Sequence, residues 1–276
     1  MPGLKVNIVF KIGVISVTYK TSIISTELYK SLLKIDNNIP ENFIFYNFCN
    51  SYKKVGTPQF FYEEYSFENG GLALGYNKGL DYFSKNSDVK FILFLNSDCK
   101  LNLKIFNKYL QNQTLDYDFI YPNLFSNRLK ISPFRKISFD YNFFIISWLF
   151  IKKEIFEHVR FPQNFWLDGI DYFLSEYLNK NNFIGYNMKI NIQHHLSISN
   201  DYKNTPDWRI LNIYKSEKIF NYRKNVFRFL LLKGILKSFY NFRFGLTLKL
   251  FKLFWVQRSW YLKILIDYGI NNNLTT

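Results

Sequence analysis

Apolar runs and helix-like segments alternate along the first half of the chain. The helix-like spacing of apolar residues falls at 23–35 and 76–85. The runs that have the length and composition of β-strands are 11–18, 42–46, 60–62, 91–95 and 119–121. Strands that alternate with helices predict an α/β fold with a mostly parallel central sheet.

Polar residues follow two of these predicted strands directly. The run at 91–95 contains no polar residue, which is typical of a central strand covered on both faces, and it ends at Asn96-Ser97-Asp98. The first run ends in the same way, at Thr18 and Tyr19. Because ligands bind beyond the carboxyl ends of strands in open α/β sheets, these polar residues are predicted to share one crevice.

The pattern resumes over 143–177, with one helix predicted at 152–158 and another entered at Asp168 and Asp171. A spacing of three puts two carboxylates on one face of a helix near its positive end, although Asp168 could instead cap the helix. The segment GYNMKINIQHHLS then predicts a short strand that ends on His194 and His195.

Charge separates the C-terminal segment from the rest of a chain whose net charge is +15. Segment 218–266 contains eleven Lys and Arg residues, interleaved with aromatic and leucine side chains, and neither Asp nor Glu. Such a segment predicts contact with an anionic membrane surface or a nucleic acid, unless it is a solvated basic face on packed helices.

Three absences narrow the class of protein. The longest uncharged apolar run, near 143–151, is far shorter than the ~20 residues of a membrane helix. The first residues include Lys5 and Lys11 and lack a small-residue cleavage site, so no secretory signal is expected. Cys49 and Cys99 lie in unrelated contexts without disulfide or zinc spacing, which suits a reducing cytoplasm.

Local chemistry leaves each candidate residue with two interpretations. Asp98 is either a turn residue or a ligand of a hard divalent cation, and Asp171 is either a first-turn helix charge or a general base. The histidines are either surface residues or part of a metal site. The block N-x-G-(x5)-N-x-G at 69–79 lacks the spacing of a Rossmann or P-loop phosphate site, so a dehydrogenase or P-loop enzyme is disfavoured.

The order of these motifs is more specific than any one of them. GVISVTYKT, ENGGLALGYNKGL, FILFLNSDC, NFWLDGIDYFLSEYL and IQHHLS, in this order, resemble family 2 glycosyltransferases, and above all their bacterial rhamnosyltransferase-like branch. The resemblance covers about residues 12–200, and IFNYRKN at 219–225 is similar to a downstream Y-x-x-R-N region of that branch.

The resemblance implies a GT-A fold and transfer of a sugar from a nucleotide-sugar with inversion at the anomeric carbon. It implies a GT-A domain at 1–200, with a nucleotide-binding half at about 1–100 and an acceptor half at about 101–200. A helical, basic and aromatic region that associates with a membrane is expected at 201–276. Such chemistry needs a cation for the leaving diphosphate and a carboxylate to take the acceptor's proton.

Site residues are implied by the same resemblance. Asp171 matches the catalytic base, and Asp98 and His194 match ligands of Mg²⁺ or Mn²⁺, with His194 preferred over His195. Asp168 and Trp166 would lie on the acceptor side. The residues that would contact the nucleotide-sugar are Thr18, Tyr19, Asn47, Asn69, Gly71, Asn77 and Asn96.

The chain departs from the family pattern at three places. Asn96 replaces the first Asp of the D-x-D motif, and Asn47 stands where an Asp usually contacts the base or ribose. After Asp171, Phe173 and Tyr177 occupy positions that are often acidic and then arginine. These departures concern metal binding, nucleotide affinity and the acceptor side, respectively.

The sequence therefore predicts a metal-dependent inverting glycosyltransferase, peripheral on the inner face of a bacterial plasma membrane. Its donor would be dTDP-rhamnose or a UDP-hexose, and its acceptor a lipid-linked surface glycan. A catalytically degenerate homologue that acts as a binding partner, and a basic nucleic-acid-binding protein, are the alternatives.

Overall fold

The structure is a computed structural model of the 276-residue chain. It describes residues 10–35, 39–50, 56–102, 105, 107, 117–126, 129–135, 142–163, 165, 167–194, 205–221 and 226–255.

A mixed eight-stranded sheet forms the centre of the molecule, in the order β3-β2-β1-β4-β9-β5-β10, with β6 pairing with β5. A separate two-stranded sheet contains β7 and β8. The strands are β1 (Lys11–Tyr19), β2 (Phe43–Asn50), β3 (Phe61–Ser66), β4 (Val89–Phe94), β5 (Phe119–Ser126), β6 (Leu129–Ser132), β7 (Phe134–Arg135), β8 (Asn142–Phe143), β9 (Phe150–Lys152) and β10 (Gly185–Gln193).

Most of the sheet runs in one direction. β3, β2, β1 and β4 pair in parallel, and so do β5 and β10. The short strand β9 lies antiparallel between β4 and β5, so these two neighbours point the same way. The carboxyl ends of six strands therefore lie at one edge, where the sequence predicted the crevice.

Helices cover both faces of the sheet. Two of them, α2 (Gly71–Ser84) and α3 (Ile170–Lys180), pack on one face, and α1 (Glu27–Leu33) packs on the other. The two faces of β4 are buried in different apolar clusters, as the uninterrupted run at 91–95 predicted. Short 3₁₀ helices form at Ile23–Ser25 and Lys153–Glu157, the second inside the helix predicted at 152–158.

Three further helices come after the sheet in the chain: α4 (Asp207–Asn221), α5 (Val226–Tyr240) and α6 (Phe244–Trp255). They share a small apolar cluster of their own, formed by Ile210, Leu231, Ile235, Leu246, Leu250 and Leu253. Within the described residues, none of the helices combines the length and the apolar character needed to cross a membrane.

Glycines let α2 lie directly on β1. A Cβ added to Gly75 would lie 2.6 Å from Val17 Cγ2, and one added to Gly79 would lie 2.6 Å from Ile15 Cγ2. These glycines are four residues apart, so they face the strand together. The second glycine of the N-x-G-(x5)-N-x-G block therefore serves the packing of α2 on the sheet.

We expect Gly79→Ala to lower the free energy of unfolding by about 1–3 kcal/mol, because the added methyl group overpacks against the fully buried Ile15. This loss would appear although alanine is the better helix former by about 1 kcal/mol. Urea denaturation measures the change.

The matched control is Gly245→Ala in α6, where nothing lies within 4 Å of the added Cβ. That variant should be as stable as the wild type or slightly more stable. Equal stability of the two variants would contradict the inferred close approach of α2 to β1.

Candidate functional site

A cavity of about 920 Å³ lies at the carboxyl edge of the sheet. That volume falls within the range of pockets that hold small ligands. Its lining comes from the end of β1, the end of β2, the start of α2, the turn after β4 and the start of α4. The lining residues are Val17, Thr18, Tyr19, Lys20, Thr21, Asn50, Asn69, Gly71, Leu72, Ser97, Leu167, Thr205, Pro206, Trp208 and Arg209.

The first residues of α2 are held at this cavity by two asparagines. Asn50, at the end of β2, donates from Nδ2 to the Gly71 carbonyl at 3.2 Å and accepts from the Gly70 amide through Oδ1 at 3.2 Å. Asn69 Oδ1 accepts from the Gly71 amide at 3.1 Å. Gly71 has a positive φ of 77°, a backbone conformation that favours glycine. The helix therefore begins at the cavity, with its positive dipole end there.

Thr18 and Tyr19 both line the cavity, and Asn47 lies beneath it. Asn47 is fully buried, and its Nδ2 donates to Thr18 Oγ1 at 3.1 Å and to Glu63 Oε1 at 2.8 Å. An aspartate at position 47 would place a second carboxylate against Glu63, and like charges at that distance repel. Glu63 therefore explains why position 47 carries an amide and not a carboxylate. Asn47 does not line the cavity, whereas Asn50 does.

Asn77 does not line the cavity. Its Nδ2 donates to the Phe161 carbonyl at 2.7 Å, and its Oδ1 accepts from the Phe161 amide at 2.9 Å. Both polar atoms are therefore used to fix α2 to the loop before α3. Asn77, expected to shape the nucleotide pocket, is therefore found at the contact between α2 and this loop.

Tyr76 supports the turn after β4. Its hydroxyl donates to Asn96 Oδ1 at 3.2 Å, a contact that an aspartate oxygen could also accept. Burial, together with the charges of Asp171 and Asp98, raises the pKa of Tyr76. Both carboxylates are therefore near enough to interact with this phenol, which lies under the turn that bears Asp98.

Asp98 and His194 come together after β4 and β10. With Cys99 they offer three ligand atoms within 4.8 Å of one another, Asp98 being exposed and the other two buried. Their strands are parallel, so the residues at their carboxyl ends meet at the same edge. The sequence predicted the pair Asp98 and His194; His195 lies outside the described residues.

The donor set at this cluster fits a divalent cation that accepts mixed oxygen and nitrogen ligands. Burial raises the pKa of the Cys99 thiol to about 12, and its Sγ lies 3.3 Å from Ser147 Oγ. A protonated thiol is a poor ligand, which leaves the Asp98 carboxylate and the His194 imidazole. Such a pair suits Mn²⁺ better than Mg²⁺, which prefers oxygen ligands alone.

Asp171 lies in the first turn of α3, largely removed from solvent. Its Oδ1 accepts a hydrogen bond from the Ile146 amide at 2.9 Å. Burial, with a smaller contribution from Asp168, raises the pKa of Asp171 to about 6, although the Ile146 hydrogen bond and Arg209 act in the opposite direction. An oriented carboxylate with such a pKa can accept a proton near neutral pH.

Asp168 is held by α4. Its Oδ1 lies 3.0 Å from Arg209 Nη2, its Oδ2 accepts from Asn212 Nδ2 at 2.6 Å, and its carbonyl accepts from Ser216 Oγ at 2.7 Å. Burial raises the pKa of Asp168, while Arg209 and Asn212 oppose the rise. The alternative that Asp168 caps α3 is wrong, because Gly169, with a φ of 96°, holds the N-cap position and no side chain caps the helix.

These contacts join α4 to the site. Trp208 and Arg209, in the first turn of α4, line the cavity, and Arg209 also forms the ion pair with Asp168. The division predicted near residue 200 therefore does not separate the cavity from the C-terminal helices. No sequence pattern pointed to Asn50, Trp208 or Arg209, since each acquires its place only through long-range packing. Trp166, expected on the acceptor side, lies outside the described residues.

Comparison with known proteins identifies the fold. No protein-family model matches the sequence, and no curated protein matches it. The crystal structure of S. aureus TarS residues 1–349 is similar with a TM-score of 0.52 at 14% identity, over 84% of this chain and 77% of that one. A second crystal structure of S. aureus TarS has a TM-score of 0.47 at 17% identity over 76% of this chain, which spans 40% of that longer chain.

At this identity the similarity concerns the fold alone. The predicted fold class is confirmed: the chain is a mixed α/β protein with a mostly parallel central sheet, similar in structure to TarS. The narrower assignment to a rhamnosyltransferase-like branch stays a prediction.

We expect Arg209→Gln to lower the free energy of unfolding by about 3–5 kcal/mol, because it leaves the Asp168 carboxylate buried without its charged partner. The double variant Asp168→Asn with Arg209→Gln should recover part of that loss, since no buried charge is left. Urea denaturation of the four proteins in the cycle gives the coupling; additive effects would contradict a direct ion pair.

We expect Asp171→Asn to stabilise the protein at neutral pH. Because the pKa of Asp171 rises from 3.8 to about 6 on folding, the folded state binds this proton more tightly than the unfolded state. The stabilisation that comes from the protonated Asp171 is therefore complete below about pH 4, and it is lost as the pH rises through about 6. Asparagine keeps the acceptor for Ile146 and removes the charge.

The expected gain in the free energy of unfolding is about 1–3 kcal/mol at about pH 7.5, and it should shrink at about pH 4.5. Urea denaturation at both values measures it. Asp88→Asn is the control, because that side chain is 63% exposed. A gain that does not depend on pH would show that burial of the Asp171 charge is not its cause.

Proposed function

We propose that this protein is an inverting glycosyltransferase. It would move a sugar from a nucleotide-sugar, of the dTDP-rhamnose or UDP-hexose type, to a hydroxyl group of a bacterial surface glycan. The observation that carries the proposal is the position of Asp171: an oriented carboxylate with a raised pKa, near a large cavity at the carboxyl edge of a parallel sheet. The similarity of the fold to the TarS glycosyltransferase is consistent with it.

The donor is assigned to the 920 Å³ cavity. The nucleoside would lie beside Thr18 and Tyr19, and the diphosphate near the start of α2. The backbone amides and the dipole at a helix N-terminus favour an anion, and Lys20 adds a positive charge to the lining. Lys20 also has a φ of 55°, an unusual conformation for a residue with a side chain, which is frequent at binding sites.

Asp98 and His194 would hold a divalent cation at the side of this cavity where Ser97 contributes to the lining. When bound, the cation would neutralise the charge that develops on the leaving diphosphate.

Asp171 would take the proton of the acceptor hydroxyl as that oxygen attacks the anomeric carbon. The Ile146 amide fixes one carboxylate oxygen, so the other is left to face the acceptor. Direct attack breaks the bond to the diphosphate on the opposite face of the sugar and inverts the anomeric carbon. Asp168 would act through Asp171, because Arg209 and Asn212 already engage its own oxygens.

The acceptor is proposed to be a lipid-linked glycan, which places the reaction on the inner face of the bacterial plasma membrane. The protein would be peripheral there, and its partners would be the donor, the acceptor and the lipid surface. Asp98, Asp171 and His194 favour this reaction over nucleic-acid binding, because nucleic-acid binding does not require carboxylates and an imidazole in this arrangement.

We expect Asp171→Asn to lower sugar transfer by roughly 100- to 10,000-fold, because the variant lacks the general base. Binding of UDP or dTDP in the presence of Mn²⁺, measured by calorimetry, should change little, since Asp171 does not line the donor cavity. Transfer is measured as release of nucleoside diphosphate from a panel of nucleotide-sugars with bacterial membrane extract as the acceptor source.

Asp88→Asn serves as the control, because this exposed carboxylate lies at the opposite edge of the sheet. Undiminished transfer by Asp171→Asn would overturn the assignment of the base. A wild-type protein that binds nucleotide yet transfers no sugar from any donor would favour the catalytically degenerate alternative.

A further inference from the structure

The helices α5 and α6 form a hairpin whose outer side is unusual for a protein surface. The side on which the two helices face each other is already buried. Leu231 and Ile235 of α5 share an apolar cluster with three leucines of α6, Leu246, Leu250 and Leu253. A helix with one buried stripe normally presents polar residues on the rest of its circumference. This hairpin instead carries large apolar side chains there.

These exposed apolar side chains define the hairpin face. It contains Leu236, Phe239, Tyr240, Phe242, Phe244 and Leu248, and each of the six is more than half exposed. The rings of Phe239 and Phe244 lie 5.6 Å apart, and those of Phe242 and Phe244 lie 6.3 Å apart. Phe239, Phe242 and Phe244 therefore form one cluster at the turn between the helices, and an exposed apolar patch of this kind marks an interaction surface.

Phe242 occupies a backbone position that suits glycine. Its φ is 56°, its amide donates to the Phe239 carbonyl at 2.9 Å, and the Arg243 amide donates to the Ser238 carbonyl at 2.9 Å. This is the helix ending in which a left-handed residue, usually glycine, comes after the last turn. A bulky residue there is strained, and this one is also 81% exposed. Neither the backbone nor the core accounts for a phenylalanine at position 242.

Charge limits the partners that the hairpin face can contact. Lys233 and Lys237 of α5 and Lys249 and Lys252 of α6 are exposed among the apolar residues. Segment 218–266, which contains both helices, has no acidic residue. A surface that joins apolar rings to lysines complements the acyl boundary and the anionic headgroups of a lipid bilayer.

We propose that the hairpin face inserts the ring of Phe242 and its aromatic neighbours into the interface of an anionic lipid bilayer. The lysines contact the headgroups, and the aromatic cluster enters the acyl boundary. The contact is limited to α5 and α6, because α4 is engaged with Asp168 and the cavity. The inference rests on the peripheral location given in the proposed function and assigns it to a defined surface, but it does not depend on the transfer reaction.

The decisive variant is Phe242→Gly, tested by co-sedimentation of the full chain with vesicles of phosphatidylcholine and phosphatidylglycerol. We expect its partition coefficient to fall roughly tenfold or more, since a buried phenylalanine ring is lost from the interface. Its melting temperature should be unchanged or higher, because glycine adopts this φ without strain. A loss of binding without a loss of stability separates the proposed role from a structural one.

Two controls match the change. Asn182→Gly places glycine in the same helix ending at α3, where the φ is 56° and the amides of Asn182 and Phe183 donate to Asn179 and Leu178. Phe67→Ser removes a phenylalanine that is 84% exposed, just after β3. Both variants should bind vesicles as the wild type does.

Charge is tested with Lys233→Gln and Lys249→Gln. Each should weaken binding to the anionic vesicles by about fivefold and leave binding to pure phosphatidylcholine vesicles unchanged. Wild-type binding by Phe242→Gly would overturn the proposal. A wild-type chain that ignores vesicles but dimerises, and becomes monomeric on Phe242→Gly, would assign the face to a second copy and would also overturn it.

Discussion

The common direction of six strands is the constraint on which the site depends. Because β4 and β10 point the same way across the antiparallel β9, Asp98 and His194 meet although they are far apart in the chain. The ends of β1 and β2 form the cavity at that same edge. Reversal of any one of these strands would move its polar end residue to the opposite edge, so the chemistry is a consequence of the topology.

Several groups in this protein lower the stability of the fold. The Asp171 carboxylate is largely removed from solvent, Lys20 has a left-handed backbone, and Phe242 has the same strain on an exposed turn. Each is held in place by ordinary packing or hydrogen bonds nearby. Left-handed backbone also occurs at Trp148, Asn182 and Lys189, so strain by itself does not identify a site, and the other contacts of Asp171, Lys20 and Phe242 distinguish them.

The part of the chain that follows β10 forms two different structures. The helix α4 belongs with the sheet, because it supplies part of the cavity wall and its Arg209 holds Asp168 in place before Asp171. The hairpin of α5 and α6 is joined to α4 through a small leucine and isoleucine cluster and presents its other side outward. The chain after β10 therefore contributes residues 205–209 to the cavity and presents a basic and aromatic surface on α5 and α6.

The sequence by itself determined the α/β class, the central position of 91–95 and the polar strand ends, because these depend on local periodicity and on the burial that it implies. It also pointed to Asp98, Asp171 and His194, through the resemblance of ordered motifs. Only the tertiary structure decided that Asn77 fixes a loop, that Asn50 and Arg209 reach the cavity, and that one face of a hairpin stays apolar and exposed. These outcomes depend on contacts between residues far apart in the chain, and such contacts leave no periodic signal in the sequence.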